Sequence, residues 1–244
     1  MTVAFVLHRA DGAPVSTAFR RAAFGTHDPF AQHREIAWEG SDSMAAGRVS
    51  FIGEIDVARF PHIETLVVVE GKLTLEAAGM ATLVLGPGAG VVIGGGTALR
   101  ARADSRTVFV SCAARCNEPT KSGIVPLRVD ADFKPSATLP AEVLLGPAPQ
   151  CRSDNVFTDK SAEYSAGTWD STPYHRIVRP HRVNEFMYLV AGGVRFAAPD
   201  GSVQSLGTGE AIFVPQGAPI GWESRERVAK FYVTQNVQTS TERG

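Results

Sequence analysis

Within RPHRVNEFM, Arg179, His181 and Glu185 bring together a guanidinium fork, a group that titrates near neutrality and a carboxylate. Those are the side chains that bind anions, move protons and ligate cations. In an extended strand alternate residues share a face, so Arg179, His181, Glu185 and Met187 are expected to look into one cavity. Ile220 and Trp222 share a face on a facing strand, while Trp169, Tyr174 and His175 come from the strand and turn leading in. A mostly apolar cavity with a few convergent polar groups is the usual build of a small-molecule site. Arg179 could fork onto a carboxylate, Glu185 could accept from an amine or ureido group, and Trp222 could supply a flat wall. The same residues allow a second reading, an internal Arg179–Glu185 ion pair that merely fills the cavity. Earlier in the chain His62 and Glu64 lie two apart and hence on one strand face, able to hold a metal or to pair as a histidine–carboxylate hydrogen bond.

The elements that carry these residues occur twice. Glu64 falls on Glu185 when the chain is shifted by 121, and the same shift places Gly71 on Gly192, Leu85 on Leu206, Gly88 on Gly209 and Gly96 on Gly217; Gly47 meets Gly167 with a slip of one residue. A constant offset over several strands and turns is the mark of a duplicated unit. Both copies read as short runs of Val, Leu, Ile and Thr cut by glycine, as in TLVVVEGKLTL and EFMYLVAGGVRF, and Pro199-Asp200-Gly201 is a tight turn. The chain is therefore expected to be all-β, with a boundary after residue 118, a Pro-rich connector over about 117–149, and edges closed into barrels.

These residues also carry a resemblance. His181, Glu185 and Gly192, followed by Gly209, Pro215 and Gly217, resemble the two motifs of the cupins, and Glu64, Gly71, Gly88 and Gly96 repeat part of the pattern. The chain thus looks like a bicupin, with two tandem jelly-roll barrels at 1–118 and 119–244. Trp169, Glu185, Trp222, Glu223, Lys230 and Tyr232 are similar to the pattern of the ureidoglycine-aminohydrolase-type cupins, which implies chemistry on a small polar, ureido- or amino-acid-like compound. Cupin enzymes usually hold a divalent Mn, Fe, Ni or Zn with histidines and a glutamate. Here Arg179 and Ile220 stand where two donors are expected, and in the first copy Phe60 and Leu99 do so. No cofactor is expected on that donor count; a retained metal would use His181 and Glu185, joined by His175. The first barrel is then mainly structural, and a ligand is expected in the second, on Arg179 or Glu185 together with Trp222. The alternative is a binding or sensory module without turnover.

Composition narrows the partners. With 24 Lys+Arg against 25 Asp+Glu and no basic block, nothing proposes nucleic acid or an anionic membrane. Three cysteines, Cys112, Cys116 and Cys151, form no metal-clip spacing and no even disulfide set. The absence of a long apolar run or basic leader leads to the expectation of a cytoplasmic protein, and the resemblance adds a homodimer paired through edge strands and exchanged N-terminal segments.

Overall fold

Runs of β-branched residues cut by glycine become strands throughout. A computed structural model describes residues 4–40, 44–116 and 121–236, and among them the only helical element is one 3-10 turn, Ala141–Val143. No helix among the described residues is long and apolar enough to cross a membrane. After β1 (Phe5–His8) and β2 (Arg20–Arg21), the first repeat runs through β3 (Arg34–Glu39), β4 (Met44–Val57), β5 (His62–Glu70), β6 (Leu73–Ala77), β7 (Leu83–Leu85), β8 (Gly90–Ile93) and β9 (Leu99–Arg115). The connector contributes β10 (Ile124–Pro126) and β11 (Lys134–Pro135). The second repeat follows as β12 (Cys151–Asp159), β13 (Tyr164–Ser171), β14 (His175–Pro180), β15 (Asn184–Ala191), β16 (Val194–Ala197), β17 (Val203–Leu206), β18 (Ala211–Val214), β19 (Pro219–Glu223) and β20 (Val228–Gln235).

The repeat holds residue by residue in the strand pairing. Glu64 on β5 lies opposite Ile93 and Ala113, and Glu185 on β15 lies opposite Val214 and Thr234, the same partners shifted by 121. Gly47 and Gly167 each sit at a bulge where a Cβ would strike the neighbouring strand's carbonyl oxygen, that of Glu35 or Asp154, so only glycine fits. Gly71 and Gly192 take φ of 79° and 73° in the matching turns. One difference separates the copies. In the first, the long β4 and β9 bend from one barrel wall into the other as unbroken strands; in the second, interruptions near Pro173 and Ser224 divide the equivalent stretches into β13 and β14 and into β19 and β20.

Each barrel has its own core, and a third joins them. Phe51, Leu66, Val68 and Phe109 fill the first barrel; Met187, Leu189, Val194 and Trp222 fill the second. Between the two main sheets lie Ile63, Val67, Phe186, Tyr188, Phe213 and Phe231, with Trp38 4.5 Å from Phe213 and the Thr65 hydroxyl bonded to the Tyr164 hydroxyl at 2.6 Å. Alternation along β5 and β15 explains this division: Glu64, Leu66 and Val68 face one barrel interior, while Ile63 and Val67 face the other repeat. Two strands cross the 118/119 boundary. β1 pairs with β18 of the second repeat, and β10 pairs with β8 of the first. The N-terminal strand is thus taken up within its own chain.

Candidate functional site

In the first barrel Glu64 is fully buried, yet it is not alone. Arg34 at the start of β3 donates to both oxygens of Glu64 at 2.7 and 3.0 Å and to both oxygens of Asp28 at 2.7 and 2.9 Å, with a further bond to the Ser111 hydroxyl at 3.1 Å. All five guanidinium N–H groups are used. Asp28 also accepts from the backbone N–H groups of Phe24 and Phe30, and His62 Nε2 lies 3.0 Å from Glu64. Burial acts to raise the Glu64 pKa, but the Arg34 charge and the His62 hydrogen bond outweigh it and hold the carboxyl well below its ordinary 4.5. The interior of the first barrel, expected to be mainly structural, holds a closed network of Asp28, Arg34, His62, Glu64 and Ser111, packed under Phe24, Phe30 and Phe60.

The second barrel solves the same problem differently. Lys230 on β20 donates to Glu185 Oε1 at 2.8 Å and to Met187 Sδ at 3.1 Å, and its ammonium stands 4.7 Å from the Trp169 ring centre and 5.1 Å from that of Trp222. Glu185 Oε2 lies 2.8 Å from His181 Nε2, while His181 Nδ1 is buried without a partner. Burial pushes the Glu185 pKa up, and the Lys230 charge and the His181 hydrogen bond more than reverse it, so the carboxylate stays ionised. Tyr174 stacks on Trp222 with ring centres 5.4 Å apart, and Phe196 and Trp169 meet Trp222 edge-on.

Several expectations are corrected by this geometry. The partner of Glu185 is Lys230, not Arg179, which lies opposite Ile220 on β19 and makes no ion pair among the described residues. Trp222 is only 4% exposed, its ring being covered by Tyr174 and Lys230, so it offers no free wall; Trp169 is the half-buried ring. His175 is exposed and lies opposite Glu223, outside the group formed by His181, Glu185 and Lys230. Its neighbour Arg176 turns inward instead.

A divalent metal does not fit either barrel. His181 and Glu185 supply two donors, Arg179 and Ile220 occupy the other expected positions, and the Lys230 ammonium sits against the carboxylate a cation would need. Among the described residues no three His, Cys, Asp or Glu side chains are placed to share an ion. Each barrel carries a cationic side chain on its repeated glutamate, Glu64 or Glu185, brought by unlike strands. Ser153 on β12 occupies the position of Arg34 on β3, opposite Trp169 as Arg34 is opposite Val49. Phe109 on β9 occupies that of Lys230, opposite Val49 and Val68 as Lys230 is opposite Trp169 and Leu189. Lys230 had a readable signal, a charge at an inward position of VAKFYV; Arg34 had none, because its segment precedes Gly47, the first anchor of the repeat visible in sequence.

Residues 158–232 match the EutQ-like cupin domain. A protein of unknown function from Pseudomonas syringae pv. tomato, assigned to the DUF861 family, is 38% identical over 96% of this chain and 100% of its own, with a TM-score of 0.92. A cupin 2 conserved barrel domain protein from Leptotrichia buccalis shares the fold at 9% identity and a TM-score of 0.58, over 83% of this chain and 88% of its own. Protein Ylba from E. coli, also of DUF861, does so at 11% and 0.54, over 95% and 100%. No curated protein matches the chain significantly.

Proposed function

The chain belongs to the DUF861 family of cupins, and we propose that within that fold it binds a small polar molecule in the second barrel without a metal, using Lys230 as its resident cation. The observation that carries this reading is the Lys230–Glu185 pair set against the rings of Trp169 and Trp222. Two of the three ammonium protons are directed to Glu185 and Met187, which leaves one for a ligand. The first barrel offers no equivalent, since every donor of Arg34 is already satisfied within the protein. An amine or ureido group is a suitable partner for Glu185, in keeping with a ureido- or amino-acid-like compound.

Turnover has one specific observation in its favour. His181 gives Nε2 to Glu185 and keeps Nδ1 unpartnered, the arrangement in which a carboxylate orients an imidazole so that the other nitrogen can accept a proton. Lys230 would then stabilise negative charge developing beside it.

Tryptophan fluorescence tests the reading, because Trp169 and Trp222 surround Lys230 while Trp38 packs between the repeats. Titration with N-carbamoylglycine, glycine and other small ureido and amino acids should give a saturable change in the wild type that Lys230→Met removes. A change unaltered by Lys230→Met, or none with any of these compounds, counts against it.

A further inference from the structure

The inner rim of the second barrel carries positive charge that the protein does not balance. On β14, Arg176 lies opposite Trp222 and Arg179 opposite Ile220, with an irregularity in register between them. Opposed residues of an antiparallel pair share a face, and both Trp222 and Ile220 are buried in the second barrel's core. The two arginines, three apart, would point to opposite sides of a regular strand; the bulge turns both toward the interior.

Neither guanidinium has an ion-pair partner among the described residues. Arg176 gives one N–H to the Ile220 carbonyl at 3.2 Å, and its Nε is buried with no hydrogen-bond partner. Burial pulls the Arg176 pKa down; Tyr174 and Glu185 oppose that, while Arg179 and Arg182 add to the fall. Glu185 is the carboxylate that faces this group, and it is already shared by Lys230 and His181. Half-buried charge without a counter-ion is costly, and a ligand can supply one.

We propose that Arg176 and Arg179 form the anion-binding end of a site in the second barrel, and that its ligand is a small organic acid. The carboxylate takes the two planar forks, whose geometry matches it, and the rest of the molecule reaches the Lys230–Glu185 pair. This assignment rests on the metal-free binding site described above and adds the charge of its ligand.

The test is thermal unfolding at constant ionic strength with acetate, succinate and benzoate, each against its amide, and with inorganic phosphate. At least one acid should raise the melting temperature where its amide does not, as a ligand of the native state must. Arg176→Met should abolish that shift and also raise the melting temperature of the ligand-free protein, because it removes an uncompensated charge. Arg179→Met should weaken the binding roughly tenfold or more. A purely structural Arg176 predicts the reverse, a less stable ligand-free variant with the acid shift intact, and that result overturns the proposal. So does a shift with phosphate alone, with amides as well as acids, or with none of the acids. Binding that survives Arg176→Met and Arg179→Met but fails in Lys230→Met removes the arginine site and leaves the Lys230 site; survival in all three removes both.

Discussion

Arg34→Met is expected to destabilise the protein by about 3–5 kcal/mol, the usual cost of removing one partner from a buried ion pair. Such a loss is a large part of a typical domain's stability of roughly 5–15 kcal/mol. Two carboxylates depend on this guanidinium: Asp28 and Glu64 each accept two of its N–H bonds, and the Arg34 side chain is only 2% exposed. Arg34→Lys should recover little, because a point charge cannot bond two carboxylates and a hydroxyl from one plane. Adding Glu64→Gln to Arg34→Met should restore part of the loss by removing one uncompensated charge. The pH dependence has a definite sign. Glu64 has its pKa depressed in the folded state, so its contribution is fully present above the ordinary 4.5 and is lost as pH falls below that value. The gap between wild type and Arg34→Met, measured as urea midpoints, should therefore be widest near neutrality and close toward acid. A gap under about 1 kcal/mol at pH 7 would contradict a buried pair of this kind.

Lys230→Met is expected to cost less, about 2–4 kcal/mol, since Glu185 keeps its bond to His181 and both partners retain some contact with water, at 7% and 13% side-chain exposure. Methionine preserves most of the packing against Trp169 and Trp222, so the loss reports the charge rather than a cavity. The double variant Lys230→Met, Glu185→Gln should regain most of it in the same urea measurement. If the single variant were as stable as wild type, Lys230 would not be the cation that balances Glu185.

The difference between these two pairs shows which parts of the molecule were legible in sequence. Duplication and fold were, because Glu64 and Glu185 sit in one hydrogen-bonded register and turn glycines recur where φ must be positive. The inward placement of Glu185 and Met187 followed from strand alternation alone. What failed were long-range pairings and local irregularities. No spacing rule links Arg34 to Glu64 across 30 residues, or Lys230 to Glu185 across 45. Strand alternation placed Arg179 inward but not Arg176, since a bulge between them cannot be seen in HRIVRP. The N-terminal segment held no periodicity to follow, yet it supplies β1 to the second repeat and Asp28 and Arg34 to the first barrel.

The same comparison contrasts the two barrel interiors. In the first, one arginine bonds Glu64, Asp28 and Ser111, and His62 lies on Glu64 as well. In the second, a lysine neutralises Glu185, while among the described residues one imidazole nitrogen has no hydrogen-bond partner and two arginines have no ion-pair partner. A side-chain cation against the carboxylate competes with any ion for the same oxygens.

The most direct check on a cupin that relies on Lys230 rather than a metal is elemental analysis of the full-length protein purified without chelator, repeated after incubation with Mn, Fe, Ni and Zn salts and gel filtration. The account predicts transition metal far below one equivalent per chain in every sample. One tightly held equivalent would contradict it, and would mean that His181 and Glu185 bind an ion with Lys230 displaced.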